Sequence, residues 1–177
     1  GGMGVVYRAH DTLIDEQVAL KFMNPQMLRT QKGQELFIRE AQVARRLRHE
    51  NIVAMHDVTW TREGILYLSM EFAKGHPLRE FLRKHRNERR LVDVRLTVHF
   101  ISQILKALDY AHRTVVHRDM KPENVMLMAG ELVKVLDFGL AKAVEAEFSS
   151  EEHTAQEKKR VSGTQIPNCL RATVFDA

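Results

Sequence analysis

The sequence predicts an α+β fold in two unlike parts: a β-rich lobe carrying one long helix, then a mostly helical lobe. Three observations predict it. Short apolar runs of strand character fill most of residues 5–72, broken by one segment with helical spacing. Composition and period then change after Gly75. Beyond that point the apolar residues fall on two helical stripes rather than in alternation.

Taken in order, residues 1–4 read as a Gly-rich turn, and residues 5–9 as a strand. A polar turn over 11–16 leads to a second strand at 18–23. Leu36, Phe37, Ala41, Ala44 and Leu47 are spaced for a helix over 34–48, which His49–Asn51 ends. Residues 52–58 and 65–72 are expected as strands joined by a turn at Glu63-Gly64. Pro77 suits a helix start, where its missing N–H costs nothing, and Leu78, Phe81 and Leu82 give a short amphipathic helix. The basic run 83–90 reads as a solvated helix end and loop, with a docking patch as the sharper alternative. Leu96, Phe100, Ile101, Ile104, Leu105 and Leu108 form a core-facing helical stripe. Short strands flanking loops are expected at Val115-Val116, 125–128 and 132–136, and a mobile, Glu- and Lys-rich surface loop over 143–160.

Bulk properties narrow the function. The chain has the length of one domain, and 44% of its residues are hydrophobic. Its net charge of +4 suits a surface that meets anionic phosphates but not a dedicated nucleic-acid binder. The single cysteine, Cys169, has no intrachain disulfide partner, and no Cys/His group has zinc spacing. A reducing, cytoplasmic setting is expected, or the cytoplasmic side of a membrane if a longer protein carries an anchor. No apolar run approaches the roughly 18 residues that span a bilayer, and nothing resembles a signal peptide. The abrupt Gly-rich start suggests a missing N-terminal portion.

The chemistry-bearing motifs follow one another along the chain. Gly1-Gly2-Met3-Gly4-Val5-Val6 matches the later part of a G-x-G-x-x-G-x-V loop, in which backbone must approach phosphate oxygens with no Cβ in the way. A dinucleotide-binding turn offers similar glycines, but there a helix should follow at once, whereas Val5-Val6-Tyr7 continues as a strand. Val18-Ala19-Leu20-Lys21 closes an apolar strand on a lysine. Alone it could be a snorkelling strand-end residue; with Glu40 on the following helix it could sit over nucleotide phosphates. The strongest signal is His117-Arg118-Asp119-Met120-Lys121-Pro122-Glu123-Asn124, followed by Asp137-Phe138-Gly139. An Asp and an Asn on one loop provide an acceptor for a hydroxyl proton and a carbonyl ligand for Mg²⁺, and Asp137 adds a hard carboxylate.

These motifs, in this order, resemble a eukaryotic-type (Hanks-type) serine/threonine protein kinase catalytic domain of the kind common in bacteria. The resemblance spans about residues 1–165 and implies a protein-kinase-like bilobal fold with an incomplete C-lobe. It divides the chain into an N-lobe (1–70), a hinge (71–75), a partial C-lobe (76–165) and a non-family tail (166–177). It implies ATP and Mg²⁺ as cofactors, and Ser/Thr-bearing proteins as partners. Gly1, Gly2 and Gly4 would lie over the phosphates, Val6 and Ala19 above the adenine, and Met126 beneath it. Met70 would be the gatekeeper, with Glu71, Phe72 and Ala73 forming the hinge that meets the adenine edge. Lys21 would pair with Glu40. Asp119 would be the catalytic base or orienter, Lys121 would neutralise the transferring phosphoryl group, and Asn124 and Asp137 would bind magnesium. Lys121 and Thr164 both point to serine/threonine rather than tyrosine specificity. Arg118 before the catalytic Asp resembles kinases switched on by loop phosphorylation, with Ser149, Ser150, Thr154 and Ser162 as candidate sites.

Two departures stand beside the resemblance. Residues 111–116 lack the glycine often found before the catalytic loop. After Gln165 no Ala-Pro-Glu triplet appears, and the tail diverges, as a frameshift, a mis-set gene end or an alternative transcript would cause. The expectation is a chain truncated at both ends, with nucleotide contacts nearly complete and substrate contacts mostly lost. Its alternative function is a catalytically silent ATP-binding or interaction fragment. A small-molecule phosphotransferase is disfavoured by Lys121 and Thr164.

Overall fold

The computed structural model describes residues 4–24 and 30–138, together with the backbone of 172–175. Strands β1 (Gly4–Asp11) and β2 (Glu16–Met23) form an antiparallel hairpin. Helix α1 (Gln31–Ala44) follows, then strands β3 (Met55–Trp60) and β4 (Leu66–Glu71). The strand order is β3-β4-β2-β1-β8, where β8 (Ala172–Phe175) comes from the far end of the sequence. The turn between β3 and β4 has Gly64 at φ +77°, a conformation that favours glycine.

Helix α1 begins where Thr30 accepts a hydrogen bond from the Gly33 amide (3.0 Å), which satisfies one orphan donor of the first turn. Its buried face, Phe37, Ala41 and Ala44, packs with Met23, Leu66 and Leu68 of the sheet and with Met55. The helix starts and ends a few residues earlier than the sequence suggests, because Thr30 caps it and the chain leaves the helix after Ala44. Leu47 and Ile52 belong instead to the second core. The expected strand at 52–58 is shifted to Met55–Trp60, and Ile52 makes only an isolated bridge to Val135.

The second part holds β5 (Gly75–Pro77), α2 (Leu78–Asn87), α3 (Val94–His112), β6 (Val125–Met128) and β7 (Val133–Val135), with β5-β6-β7 forming a small antiparallel sheet. Its core joins Phe100, Ile104, Ala107 and Ala111 of α3 to Val125, Val133, Val135 and Phe138. Asp93 caps α3 by accepting from the Leu96 amide at 3.0 Å.

Two expectations are corrected and one is met. Val115-Val116 is not a strand: the Thr114 and Val115 amides both bond the Ala111 carbonyl and close the helix end, leaving Val115 in the core and Val116 exposed. The basic run is a solvated helix end and loop, as expected: α2 runs to Asn87 with Lys84, His85 and Arg86 in its last turn, where cations complement the helix dipole, and 88–90 follow outside the helix. The α3 stripe divides between two faces: Phe100 and Ile104 are buried, whereas Ile101 and Leu105 are 48% and 58% exposed. The loop over 143–160 lies outside the described residues.

A buried polar network fixes the second part. Asn51 Nδ2 donates to Gln103 Oε1 (2.9 Å) and to the Val133 carbonyl (2.8 Å). Gln103 Oε1 also accepts from the Val133 amide (2.9 Å). One side chain thereby ties the segment after α1 to both α3 and β7, behind the loop that carries Asp119.

Candidate active site

The strand register sets the roof of the site. Val6 stands opposite Lys21, and Ala19 opposite Met70, so all four side chains share one face of the sheet. Gly4 begins β1 at φ +142°, and a Cβ there would lie 2.0 Å from the Phe22 carbonyl oxygen, so only glycine fits. Gly1 and Gly2 lie outside the described residues.

Lys21 is only 6% exposed. Its Nζ donates to Asp137 Oδ2 at 2.6 Å, linking the sheet to the segment after β7. The expected pair with Glu40 is not formed between these two described residues. Glu40 instead lines a cavity of about 380 Å³ with Leu36, Arg39, Val43 and Arg118. The site therefore holds the lysine and the carboxylate of Asp137 as a self-neutralised pair.

Below the sheet, the loop from His117 to Asn124 is held by its own polar atoms. The one-turn 3-10 helix Pro122–Asn124 presents Asn124, which is buried. Asn124 Nδ2 donates to the Asp119 carbonyl (2.8 Å) and to Asp119 Oδ2 (3.2 Å), leaving Oδ1 as the acceptor for another group. Lys121 Nζ lies 2.7 Å from the same Asp119 Oδ2, and that hydrogen bond pushes the lysine's pKa up. Arg118 and Asp137 both adopt left-handed backbone (φ +58° and +53°). For non-glycine residues this is a strained conformation of the kind that concentrates at working sites.

His117 supplies a link that the motif alone does not reveal. It is 1% exposed, its Nε2–H donates to the Leu136 carbonyl (2.7 Å), and its ring lies 4.7 Å from that of Phe138. Burial pushes its pKa down, so the ring is neutral and Nδ1 faces the Asp119 amide at 3.3 Å. The Leu136 amide in turn donates to the Asn124 carbonyl (2.9 Å). The segments carrying Asp119, Asn124 and Asp137 are thus fastened to one another.

Met70 is half-buried at the end of β4. Glu71 bonds Lys134 on β7 (2.7 Å), and its amide donates to the Ala54 carbonyl (2.8 Å), which anchors the crossover between the two parts. The Ala73 carbonyl accepts from the Gly75 amide (2.9 Å). Met126 is half-buried on β6, opposite Pro77 and Lys134. Arg79 on α2 is paired with Glu123, whose carboxyl is held below its ordinary range by its own backbone amide and then by that arginine. The Glu71–Lys134 and Arg79–Glu123 pairs have no signal in the sequence beyond unlike charges far apart. Gly139, Ser149, Ser150, Thr154, Ser162, Thr164 and Cys169 lie outside the described residues.

Comparison with known proteins accords with this geometry. The family whose model matches is described as the protein kinase domain, and the match takes in residues 1–165. The chain is 44% identical over 148 residues to a probable serine/threonine-protein kinase of Streptomyces coelicolor, covering 81% of this chain and 21% of that protein. It is 38% identical over 153 residues to the serine/threonine-protein kinase pkn3 of Myxococcus xanthus, covering 82% and 27% respectively. Among solved structures, a point mutant of the Mycobacterium tuberculosis PknI kinase domain superposes with a TM-score of 0.70 at 30% identity, over 80% of this chain and 56% of that one. The chain thus spans 21–27% of the length of these curated relatives, and just over half of the solved kinase domain.

Proposed function

The chain belongs to the protein kinase family, and on that premise we propose that it carries the site at which Mg-ATP phosphorylates serine or threonine in protein substrates. The observation that supports this most is the convergence of Lys21, Asp119, Lys121, Asn124 and Asp137 within one set of hydrogen-bonded segments. In this reading residues 1–70 form the nucleotide-covering lobe, 71–75 the hinge, 76–165 part of the second lobe, and 166–177 a tail outside the family match.

Asn124 Oδ1 and the Asp137 carboxylate are hard oxygen donors, the set that suits Mg²⁺, which takes one or two protein ligands and completes its shell with phosphate and water. When bound, the metal neutralises charge on the β- and γ-phosphates. The protein's own contribution is positional and electrostatic. Gly4, with Gly1 and Gly2, brings backbone close to the phosphates, while Val6, Ala19 and Met126 sandwich the adenine beside Met70 and the 71–73 backbone. Lys21 exchanges Asp137 for the α- and β-phosphates and Glu40. Asp119 accepts the proton of the substrate hydroxyl as its oxygen bonds the γ-phosphorus and the bond to the bridging oxygen breaks, leaving ADP. Lys121, already bonded to Asp119, neutralises the transferring group.

A second reading, a catalytically silent nucleotide-binding or interaction fragment, is favoured by the exposed Ile101 and Leu105 face of α3. Transfer of labelled γ-phosphate to a generic Ser/Thr-containing protein separates the two. The enzyme reading expects incorporation by the wild-type chain and a loss of at least about a hundredfold in Asp119→Asn. Incorporation no higher than that of the variant would leave the silent fragment. Among the described residues, no helix is long and apolar enough to cross a membrane.

A further inference from the structure

A cavity of about 860 Å³ opens between α2, α3 and β6, and it shares no residue with the nucleotide site described above. Its lining falls entirely within residues 76–131, inside the family match. The floor is apolar, built from Phe81 of α2, Leu96 and Phe100 of α3, and Leu127 and Met128 of β6. Its size lies within the range of about 300–1,000 Å³ typical of ligand sites. Helix α2 forms one wall without sealing it. None of the residues of α2 is buried, whereas α3 buries Phe100, Gln103, Ile104, Ala107 and Ala111. Phe81 meets Phe100 edge-on, with 5.9 Å between ring centres, and Leu82 is 41% exposed. The rim is basic. Residues 83–90 carry Arg83, Lys84, Arg86, Arg89 and Arg90 against one carboxylate, Glu88, an excess that equals the net charge of +4 of the whole chain. Glu88 pairs with Arg90 at 3.6 Å. Arg83 and Lys84 line the cavity, and neither has an ion pair among the described residues.

We propose that this cavity docks an extended, acidic segment of a protein partner, with apolar side chains seated on Phe81, Leu96 and Phe100 and carboxylates laid along Arg83 and Lys84. Charge complementarity selects that chemistry: a cluster of cations beside an apolar floor reads an acidic motif that carries apolar anchors. Glu80 and Glu131 also line the cavity, but they stand at its other end. Glu80 belongs to the first turn of α2, and the Glu131 carbonyl accepts from Gln103 Nε2, well along α3 from its start. The unpaired cations lie toward the 88–93 connection instead, so the bound segment has a direction, with its anchors toward β5 and its carboxylates toward Asn87. A concave apolar floor argues against the other anionic classes. A lipid surface is too broad to enter it, and a nucleic acid would lay phosphates across the rim without using the floor. The docking does not depend on the kinase reading above, since none of its residues holds nucleotide, metal or the reacting hydroxyl there.

The test uses the whole chain without nucleotide, so its failure leaves the kinase reading untouched. Two fluorescein-labelled peptides serve as probes: one carries alternate leucines followed by a run of glutamates, and its twin has lysines in place of the glutamates. Fluorescence anisotropy should show the acidic peptide binding at least about tenfold tighter than the basic one. Lys84→Glu should weaken that binding at least about fivefold, whereas Arg46→Glu, the same charge reversal on the exposed face of α1, should change it less than about twofold. Asn87→Trp places a large side chain at an exposed position on the cavity wall, and should weaken binding at least about fivefold with an unchanged urea midpoint. Equal affinity for the two peptides, no saturable binding of the acidic one, or equal losses in Lys84→Glu and Arg46→Glu would overturn the proposal. Phosphatidylserine vesicles or single-stranded RNA bound through Lys84, with the acidic peptide unbound, would assign the patch to that class and overturn it likewise.

Discussion

The Lys21–Asp137 pair makes a quantitative claim about the nucleotide-free chain. Lys21 is nearly buried, whereas the Asp137 side chain keeps 29% of its exposure, so the two partners depend on each other unequally. Removing one member of a fully buried pair costs about 3–5 kcal/mol, because the other charge is left without compensation. Solvent at Asp137 reduces that figure. For Asp137→Ala, which strands the buried ammonium, we expect a loss of about 2–3 kcal/mol. For Lys21→Met, which keeps the apolar stem and leaves a carboxylate that water reaches, about 1 kcal/mol is expected. The double variant removes both charges and should lose only about 1–2 kcal/mol, giving a coupling of about 2 kcal/mol. Glu40→Gln, which touches neither partner, should stay within about 0.5 kcal/mol. Urea denaturation followed by far-ultraviolet circular dichroism measures all four. Single-variant losses that add to within about 0.5 kcal/mol would refute the pairing, as would a Glu40→Gln loss as large as that of Asp137→Ala.

Two further outcomes follow from the buried polar groups. His117 has its pKa lowered by burial, so the unfolded chain binds its proton more readily than the folded one. Its contribution is fully present above the unfolded value near 6.5 and is lost as pH falls toward the lower folded value. Urea midpoints at pH 7.5 and 5.5 should therefore differ more in the wild type than in His117→Phe, and an identical difference would contradict the neutral buried ring. Asn51→Ala deletes two hydrogen bonds and leaves the buried Val133 carbonyl short of a partner, at a cost of about 3 kcal/mol. A thermal melt showing a loss below about 1 kcal/mol would show that the network is dispensable.

Residues in fixed spacing are legible in the amino-acid sequence itself. Asp119, Lys121 and Asn124 lie on one loop, so their meeting needs only local backbone, and Asp137 follows soon after the next short strands. The roof is legible because alternation along 18–23 puts Ala19 and Lys21 on one face whatever the rest of the chain does. The partner of Lys21 is not legible, since the choice between Glu40 and Asp137 depends on where α1 rests against the sheet. Glu71–Lys134 and Asn51–Gln103 are hidden for the same reason: each joins residues far apart whose proximity is created by packing. The division of the α3 stripe into buried and exposed faces also escapes periodicity, which counts apolar positions but does not say what covers them. The strand at 172–175 escapes because an edge pairing across the whole chain leaves no local mark.

Magnesium-dependent ATP binding by the wild-type chain, measured calorimetrically beside Asp137→Asn, bears most directly on the site. Binding should require Mg²⁺, and both chelation and Asp137→Asn should weaken it at least about tenfold, or about 1.4 kcal/mol. ATP affinity unchanged by chelation and by Asp137→Asn would contradict the assignment of Asn124 and Asp137 as the metal-holding pair, and with it the proposed nucleotide site.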